Sequence, residues 1–421
     1  MLINLAVVLI FLLLFIRARN NGTPFVLTSS LYVIYALSFI SSILLNIYYE
    51  KQTIDFYATI YLVFIFMFWF SPFNKVSSNT IEWSKFTSNR FKKISIYFGI
   101  ISAFATIFYG FHFIKFMSVV DIINARDDIL DNGSTLPPNV ITLIFSLVAP
   151  LYFINLILFF ISIKEKWKKY QRFVFILGSF SYPLQVLCSF GRDGVLYWVI
   201  NFFILYLLFR NLFNSITRKK ILRFSIIITI ISGSTFYIIT EARFGSNAKY
   251  QYNFSPGESL FLYMGAQPRN FSDCFTADLR MEGGLFNGTE NIIRKRVFGE
   301  VKKAEIESYI FKNGKKFELN IFGFYTKELI LFYGKAFAVL VSIFFYLISL
   351  PIRRRFTRNR YLIDFIMLYL LFQVPMNGVF YYRQYIGSQD LSYLIIFILY
   401  ITHYLFLSKY TSNRYNMRNG I

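Results

Sequence analysis

Charged side chains are scarce in this chain. Asp, Glu, Lys and Arg make up only 16% of its 421 residues, whereas a soluble domain carries about 25%. So little polar surface could not cover the apolar remainder, which is 56% of the sequence, and a soluble globular fold is excluded. Cysteine is nearly absent, with Cys188 and Cys274 the full complement. That excludes a cysteine zinc site and a disulfide framework. One bond between the two stays open, beside the plainer reading of two unrelated thiols. Histidine is limited to His112 and His403. No Walker A, HExxH or G-x-S-x-G pattern and no Cys/His cluster occurs, which leaves no ATP-hydrolysing module, zincin or hydrolase elbow to expect.

What the chain has instead is apolar runs long enough to cross roughly 30 Å of hydrocarbon. Eleven segments stand out, at about 2–16, 24–48, 54–73, 94–116, 139–163, 173–190, 195–213, 224–240, 328–352, 361–381 and 391–408. They do not alternate as the strands of a membrane barrel would. Buried in lipid, each must satisfy its backbone internally, so each is expected to be a helix. The expected fold is all-α: one polytopic bundle of about eleven membrane helices spanning residues 1–421. The first run has no basic n-region and is followed by Arg17 and Arg19. It therefore reads as a membrane helix inserted N-terminus out, not as a cleaved signal.

A net charge of +22 would suggest nucleic acid if it were spread evenly. It is clustered in alternate loops: Arg17 and Arg19; Lys75 to Lys93; Lys164 to Arg172; Arg218 to Arg223; Arg353 to Arg360; and the tail with Arg414 and Arg418. The intervening short loops are poor in Lys and Arg, and residues 117–138 are acidic, with Asp121, Asp127, Asp128 and Asp131. The positive-inside bias puts the N-terminus outside and the C-terminus in the cytoplasm. Residues 241–327, between the eighth and ninth segments, form a long mixed-charge outer loop. Within it, Ser259–Gly265 suggests a short amphipathic or re-entrant piece, and 298–316 a charged amphipathic helix ending at Asn313-Gly314.

Three places on the outer side could carry chemistry. Arg192 and Asp193 sit between Gly191 and Gly194 in the turn joining segments six and seven. An arginine fork there would bind phosphate bidentately; a tight turn with an interfacial ion pair is the plain alternative. Glu241 and Arg243 end segment eight, where a charged helix terminus meeting water explains them equally well. Arg383 is the sole basic residue of its loop, among Tyr381, Tyr382 and Tyr385, and an aromatic belt with one arginine is its plain reading. Together, three arginines on one face, against the bias that keeps arginine inside, point to an anionic ligand. His112, Lys115 and His403 read as structural or interfacial, Asp364 as an ion-pair partner of a basic loop, and Lys335 as a lysine facing a polar interior or snorkelling. Pro375, Asn377 and Gly378 suggest a kink beside a cavity.

Eleven segments, the Gly191-Arg192-Asp193-Gly194 turn, the Ala242-Arg243-Phe244-Gly245 exit and the large late loop together resemble the O-antigen polymerases, the Wzy-type oligosaccharide repeat-unit polymerases. Asn320–Ala336 resembles the stretch where their large loop re-enters the membrane, although Phe332-Tyr333-Gly334-Lys335 departs from the acidic-aromatic-Gly pattern common there. The resemblance implies a metal-independent glycosyltransferase without a cofactor. Its donor and acceptor would be undecaprenyl-diphosphate-linked glycans. Its other partners would be membrane lipids and a chain-length regulator protein, with no nucleic acid. Arg192, Arg243 and Arg383 would clamp the diphosphate, and Asp193 or Glu241 would serve as base or orient an arginine. The related O-antigen ligases use a histidine in the large loop, and 241–327 has none. A metal-dependent lipid-sugar transferase would place its acidic pair in the first outer loop, whereas Asp127-Asp128 lies in the second. A flippase would need repeated halves and mid-membrane charges, and no matching halves are found.

Overall fold

Helix covers most of every apolar segment in the computed structural model, which describes residues 2–20, 26–49, 54–74, 76, 89–119, 136, 139–188, 191, 193–244, 256–279, 309–312, 315–318, 324–359, 361–379, 389–402 and 404. The first four helices are α1 (Leu2–Asn20), α2 (Val26–Tyr49), α3 (Phe56–Phe70) and α4 (Asn89–Val119). Then come α5 (Val140–Val148), α6 (Tyr152–Lys164), α7 (Lys169–Gly178), α8 (Ser181–Leu187), α9 (Asp193–Phe209) and α10 (Ser215–Phe244). After α11 (Pro256–Thr276) and the strands β1 (Tyr309–Lys312) and β2 (Lys315–Glu318), the chain ends in α12 (Tyr325–Tyr333), α13 (Lys335–Asn359), α14 (Leu362–Asn377) and α15 (Gln389–Thr402). Among the described residues, six helical stretches are long and apolar enough to cross a membrane: Val26–Ile47, Phe56–Phe73, Phe91–Lys115, Val140–Lys164, Asp193–Leu212 and Lys335–Arg358. Large apolar side chains stand exposed along them and along α10, where Ile226, Ile227, Ile230, Ile231 and Ile238 all face outward. Such a surface suits lipid and not water. This is a helical membrane protein.

The helices start where polar side chains cap them. Asp55 accepts a hydrogen bond from the Ala58 amide at 2.8 Å to open α3, and Asn139 does the same for Thr142 in α5. Packing then exploits small residues, since apolar contact alone gives helices no preference for one another over lipid. At Gly265, α11 lies against α2, and a Cβ there would stand 2.6 Å from the Ser41 carbonyl carbon and 2.7 Å from its oxygen. Gly265→Val should therefore cost about 1–3 kcal/mol, read as a lower melting temperature of the detergent-purified protein.

Aromatic rings fill the centre. Tyr35 packs its ring 4.5 Å from that of Phe66 and 4.9 Å from that of Phe70, and its hydroxyl donates to the Pro375 carbonyl at 2.8 Å. Deeper still, Asn201 on α9 is fully buried. Its Oδ1 accepts from the Tyr369 hydroxyl at 2.7 Å and from Gln373 Nε2 at 2.8 Å, while Nδ2 donates to the Tyr152 hydroxyl at 2.6 Å. One amide thus joins α6, α9 and α14.

Two expectations change, and the two cysteines follow the plainer of their two readings. Tyr309–Lys312 and Lys315–Glu318 pair as antiparallel strands, not as part of a helix, with Lys312 opposite Lys315. The Asn313-Gly314 pair between them is the sequence most favoured for a two-residue hairpin connection. The ninth apolar segment is broken at Gly334, which has φ of 90°, a conformation glycine adopts without strain. The membrane-length helix starts at Lys335 instead of 328, which leaves Lys335 at a helix start. There it pairs with Asp278 at 3.8 Å and stands 4.2 Å over the Phe275 ring. Cys188 and Cys274 are free and buried. Burial pushes the Cys274 thiol up to about 11, with Lys327 pulling the other way, so it is an unreactive thiol. The residues 298–308 of the expected amphipathic helix lie outside the described residues.

Candidate active site

The chain gathers its polar side chains where α9 and α15 begin and α14 ends. Proline at 375 offers no N–H to the helix, and the last turn of any helix leaves carbonyls unpaired. Here tyrosines and an amide fill those vacancies. The Tyr35 hydroxyl bonds the Pro375 carbonyl, the Tyr197 hydroxyl bonds that of Asn377 at 2.8 Å, and the Tyr325 amide bonds that of Gly378 at 3.0 Å. The last of these fixes the start of α12 against the end of α14. Glycine at 378 makes the approach feasible, because a Cβ there would collide with the Tyr325 ring. Phe324 stacks on Tyr35 at 5.4 Å and Tyr325 lies 4.2 Å from Trp69, which holds the same end from the other side. At its far end α12 stops at Gly334, whose amide bonds the Ile330 carbonyl at 2.8 Å.

This short helix carries Lys327 and Glu328. Consecutive helical residues point about 100° apart, so the two side chains serve different neighbours. Lys327, only 2% exposed, acts on Cys274 of α11. Glu328 is coupled to Asp390 in the first turn of α15. Glu328 is partly buried, and its Oε2 is enclosed and accepts no hydrogen bond among the described residues. Burial holds the Glu328 carboxyl well above the ordinary carboxylate range; Lys327 pulls against this, and the Asp390 charge adds to it. Nine residues make a helix of about 13 Å, too short to cross hydrocarbon, so this carboxyl sits beside the spans and not within one. Next to Asp390 in the chain, Gln389 Nε2 donates to the Tyr393 hydroxyl at 3.1 Å. Burial and the Asp390 charge thus act in the same direction on Glu328, both favouring its protonated form.

Of the residues expected from sequence, Asp193 lies at this end. It occupies the first turn of α9, where free helix amides favour a carboxylate, one turn before Tyr197. The turn before it is tight. The Gly191 amide bonds the Val186 carbonyl at 2.9 Å, and Cβ atoms at Gly191 or Gly194 would stand 2.5 Å and 2.7 Å from Val186 side-chain atoms. Arg192 between them lies outside the described residues, as does Arg383. Glu241 and Arg243 fall in the last turn of α10, and their side chains lie outside the described residues. The convergence of the three arginines is therefore not drawn from geometry.

The lower-ranked residues have settled surroundings. His112 packs edge-on against Phe108 at 4.5 Å, and Lys115 is exposed; His403 lies outside the described residues. Asp364 is fully buried and accepts from the Tyr400 hydroxyl at 2.8 Å and from the Tyr404 hydroxyl, while Arg355 stacks 4.2 Å from the Tyr404 ring. Tyrosine hydroxyls, backed by that arginine, hold the carboxylate expected to pair with a basic loop.

Lys327, Glu328 and Asp390 are absent from the sequence-derived set. Each stands at the edge of an apolar run, which is where a charged residue passes for a simple boundary. The signal available was the Thr326-Lys327-Glu328 triplet directly before Leu329-Ile330-Leu331, in a stretch singled out for another reason. Among the described residues no three His, Cys, Asp or Glu side chains come together as a metal-binding group. Comparison with protein families, with characterised proteins and with solved structures finds no match for this chain.

Proposed function

We propose that the chain is a glycosyltransferase that polymerises undecaprenyl-diphosphate-linked oligosaccharide repeat units into O-antigen or capsular polysaccharide. It would be an eleven-span protein of the cytoplasmic (inner) membrane, with its N-terminus outside, and would work at the outer face. The observation that carries the reading is the enclosed Glu328 carboxyl on a short helix, on which the charges of Lys327 and Asp390 act. It occupies the bundle end from which the short loops poor in Lys and Arg emerge, the end the positive-inside bias turns outward.

The reaction needs two things of the protein. A hydroxyl of the acceptor glycan attacks C1 of the donor's first sugar; the new C1–O bond forms as the bond from C1 to the diphosphate oxygen breaks. Lipid diphosphate leaves with the electron pair. Positive charge must meet the leaving group, and Arg192, Arg243 and Arg383 are the residues assigned to it. The hydroxyl proton must go to a base. That role falls to Glu328, whose Oε2 is enclosed and whose proton affinity burial and the Asp390 charge raise. Asp193 and Glu241 are then left to orient arginines.

Arg192→Ala, Arg243→Ala and Arg383→Ala should each leave single-repeat glycans in place of long chains, a loss on the order of 100-fold or more in rate, while the protein still inserts. Gel ladders of surface glycan from cells carrying each variant measure this, and wild-type ladders in all three would refute the clamp.

A further inference from the structure

At the opposite end of α9, about 25 Å from Asp193 for a helix of that length, lies a cavity of about 480 Å³. It opens between the α6–α7 connection and the start of α10. Lys164, Lys166, Arg172 and Lys220 line it, and none of its twelve lining residues is acidic. Its floor is apolar: Phe213 and Ile221 are 5% and 6% exposed. Its rim is exposed, at Lys166, Asn214 and Lys220. Arg172 Nε is enclosed, with no hydrogen-bond acceptor among the described residues. Buried guanidinium N–H groups without acceptors are costly, and an anion supplied from outside would satisfy them. The start of α10, capped by Asn214 through a 2.8 Å bond from the Thr217 amide, also opens here, and a helix N-terminus adds to the attraction for negative charge.

We infer that this cavity binds the phosphate headgroup of an anionic phospholipid, its acyl chains running down the apolar wall toward the spans. A free phosphate compound would satisfy the four cations equally well. The argument for lipid is the gradient within the site. Cations ring the mouth while phenylalanine and isoleucine form the floor, at the depth where helix ends meet headgroups. A soluble anion has no use for the floor. The inference is independent of the transferase reading and holds or fails without it.

The test uses the purified full-length chain in a non-ionic detergent, with native mass spectrometry to count bound lipid. Phosphatidylglycerol, phosphatidylcholine and glycerol 3-phosphate are added in turn. Phosphatidylglycerol should be retained at one copy, more tightly than the other two. The combined Lys164→Gln, Arg172→Gln and Lys220→Gln variant should weaken it on the order of 10- to 100-fold. A charge-matched control, Lys168→Gln with Lys169→Gln and Lys219→Gln, removes three cations from the same loops outside the cavity and should retain the lipid. Equal loss in the control would reduce the effect to diffuse surface charge and overturn the site. Glycerol 3-phosphate binding as tightly as the lipid would overturn the lipid as occupant. Should the triple variant not fold, Arg172→Gln alone carries the same comparison, and unchanged retention in it would refute the proposal.

Discussion

Glu328→Gln should stop chain elongation while leaving the protein inserted and at least as stable as wild type. The two outcomes have one cause. An enclosed carboxyl whose affinity for protons is raised by its surroundings is a better acceptor for a hydroxyl proton than an ordinary carboxylate, and such groups contribute about 100- to 10,000-fold to rate. The amide keeps the shape but cannot take the proton. Elongation by the wild type should rise with pH as Glu328 deprotonates, through an apparent midpoint above the ordinary carboxylate value, and Gln should remove that limb. Stability moves the other way. The folded protein holds this proton more tightly than the unfolded chain does, so its contribution is fully present at low pH. That contribution is lost as pH rises from the ordinary carboxylate value through the raised one. Above the raised value the ionised carboxyl is a burden that Gln does not carry. Melting temperature and elongation rate, measured on the same preparation, check both. A variant that loses activity together with stability would make Glu328 a structural residue. Asp390→Asn should lower the midpoint of the pH limb, since it removes the neighbouring charge.

Asn201→Ala should be the most damaging single truncation in the core, for a reason unrelated to the site. The amide satisfies the Tyr369 hydroxyl, the Gln373 side chain and the Tyr152 hydroxyl at once. Removing it strands three polar groups where water cannot replace the lost partner. Each interhelical bond within a membrane is worth little, about 0.6 kcal/mol on average, but a buried group left unsatisfied costs about 1–3 kcal/mol. A loss of about 3 kcal/mol is expected, measured by denaturant unfolding in detergent. Tyr369→Phe, which removes one hydroxyl and leaves Gln373 to bond Asn201, should cost about 1 kcal/mol or less. The contrast between the two separates loss of a network from loss of one bond.

The apolar runs were readable because their length is itself the physical requirement, and α2, α3, α4, α9 and the joined α5–α6 stretch follow them closely. Breaks within a run were harder to see. Gly334 interrupts an otherwise continuous apolar stretch, and hydropathy is insensitive to a single φ. The strand pair of 309–312 with 315–318 is hidden within a stretch, 298–316, whose charges suit a helix as well, although Asn313-Gly314 favours a hairpin as strongly as it favours a helix end. The candidate site was half visible. Asp193 shows itself through its glycines, but the pairing of Glu328 with Asp390 depends on a nine-residue helix seated against the end of α14. Residues 62 positions apart give no sign of that in sequence. The Cys188 thiol donates to the Tyr109 carbonyl at 3.3 Å, a partner no spacing rule supplies.

The central claim is that this chain joins lipid-linked glycans by itself, at one face and without nucleotide or metal. Purified protein in liposomes, given an undecaprenyl-diphosphate-linked repeat unit and a chelator but no nucleotide sugar, tests it directly. A ladder of lengthened lipid-linked glycans, with one lipid diphosphate released per repeat added, is the predicted result. No ladder, with the lipid-linked unit moved instead from one leaflet to the other, would contradict the account and make the protein a transporter.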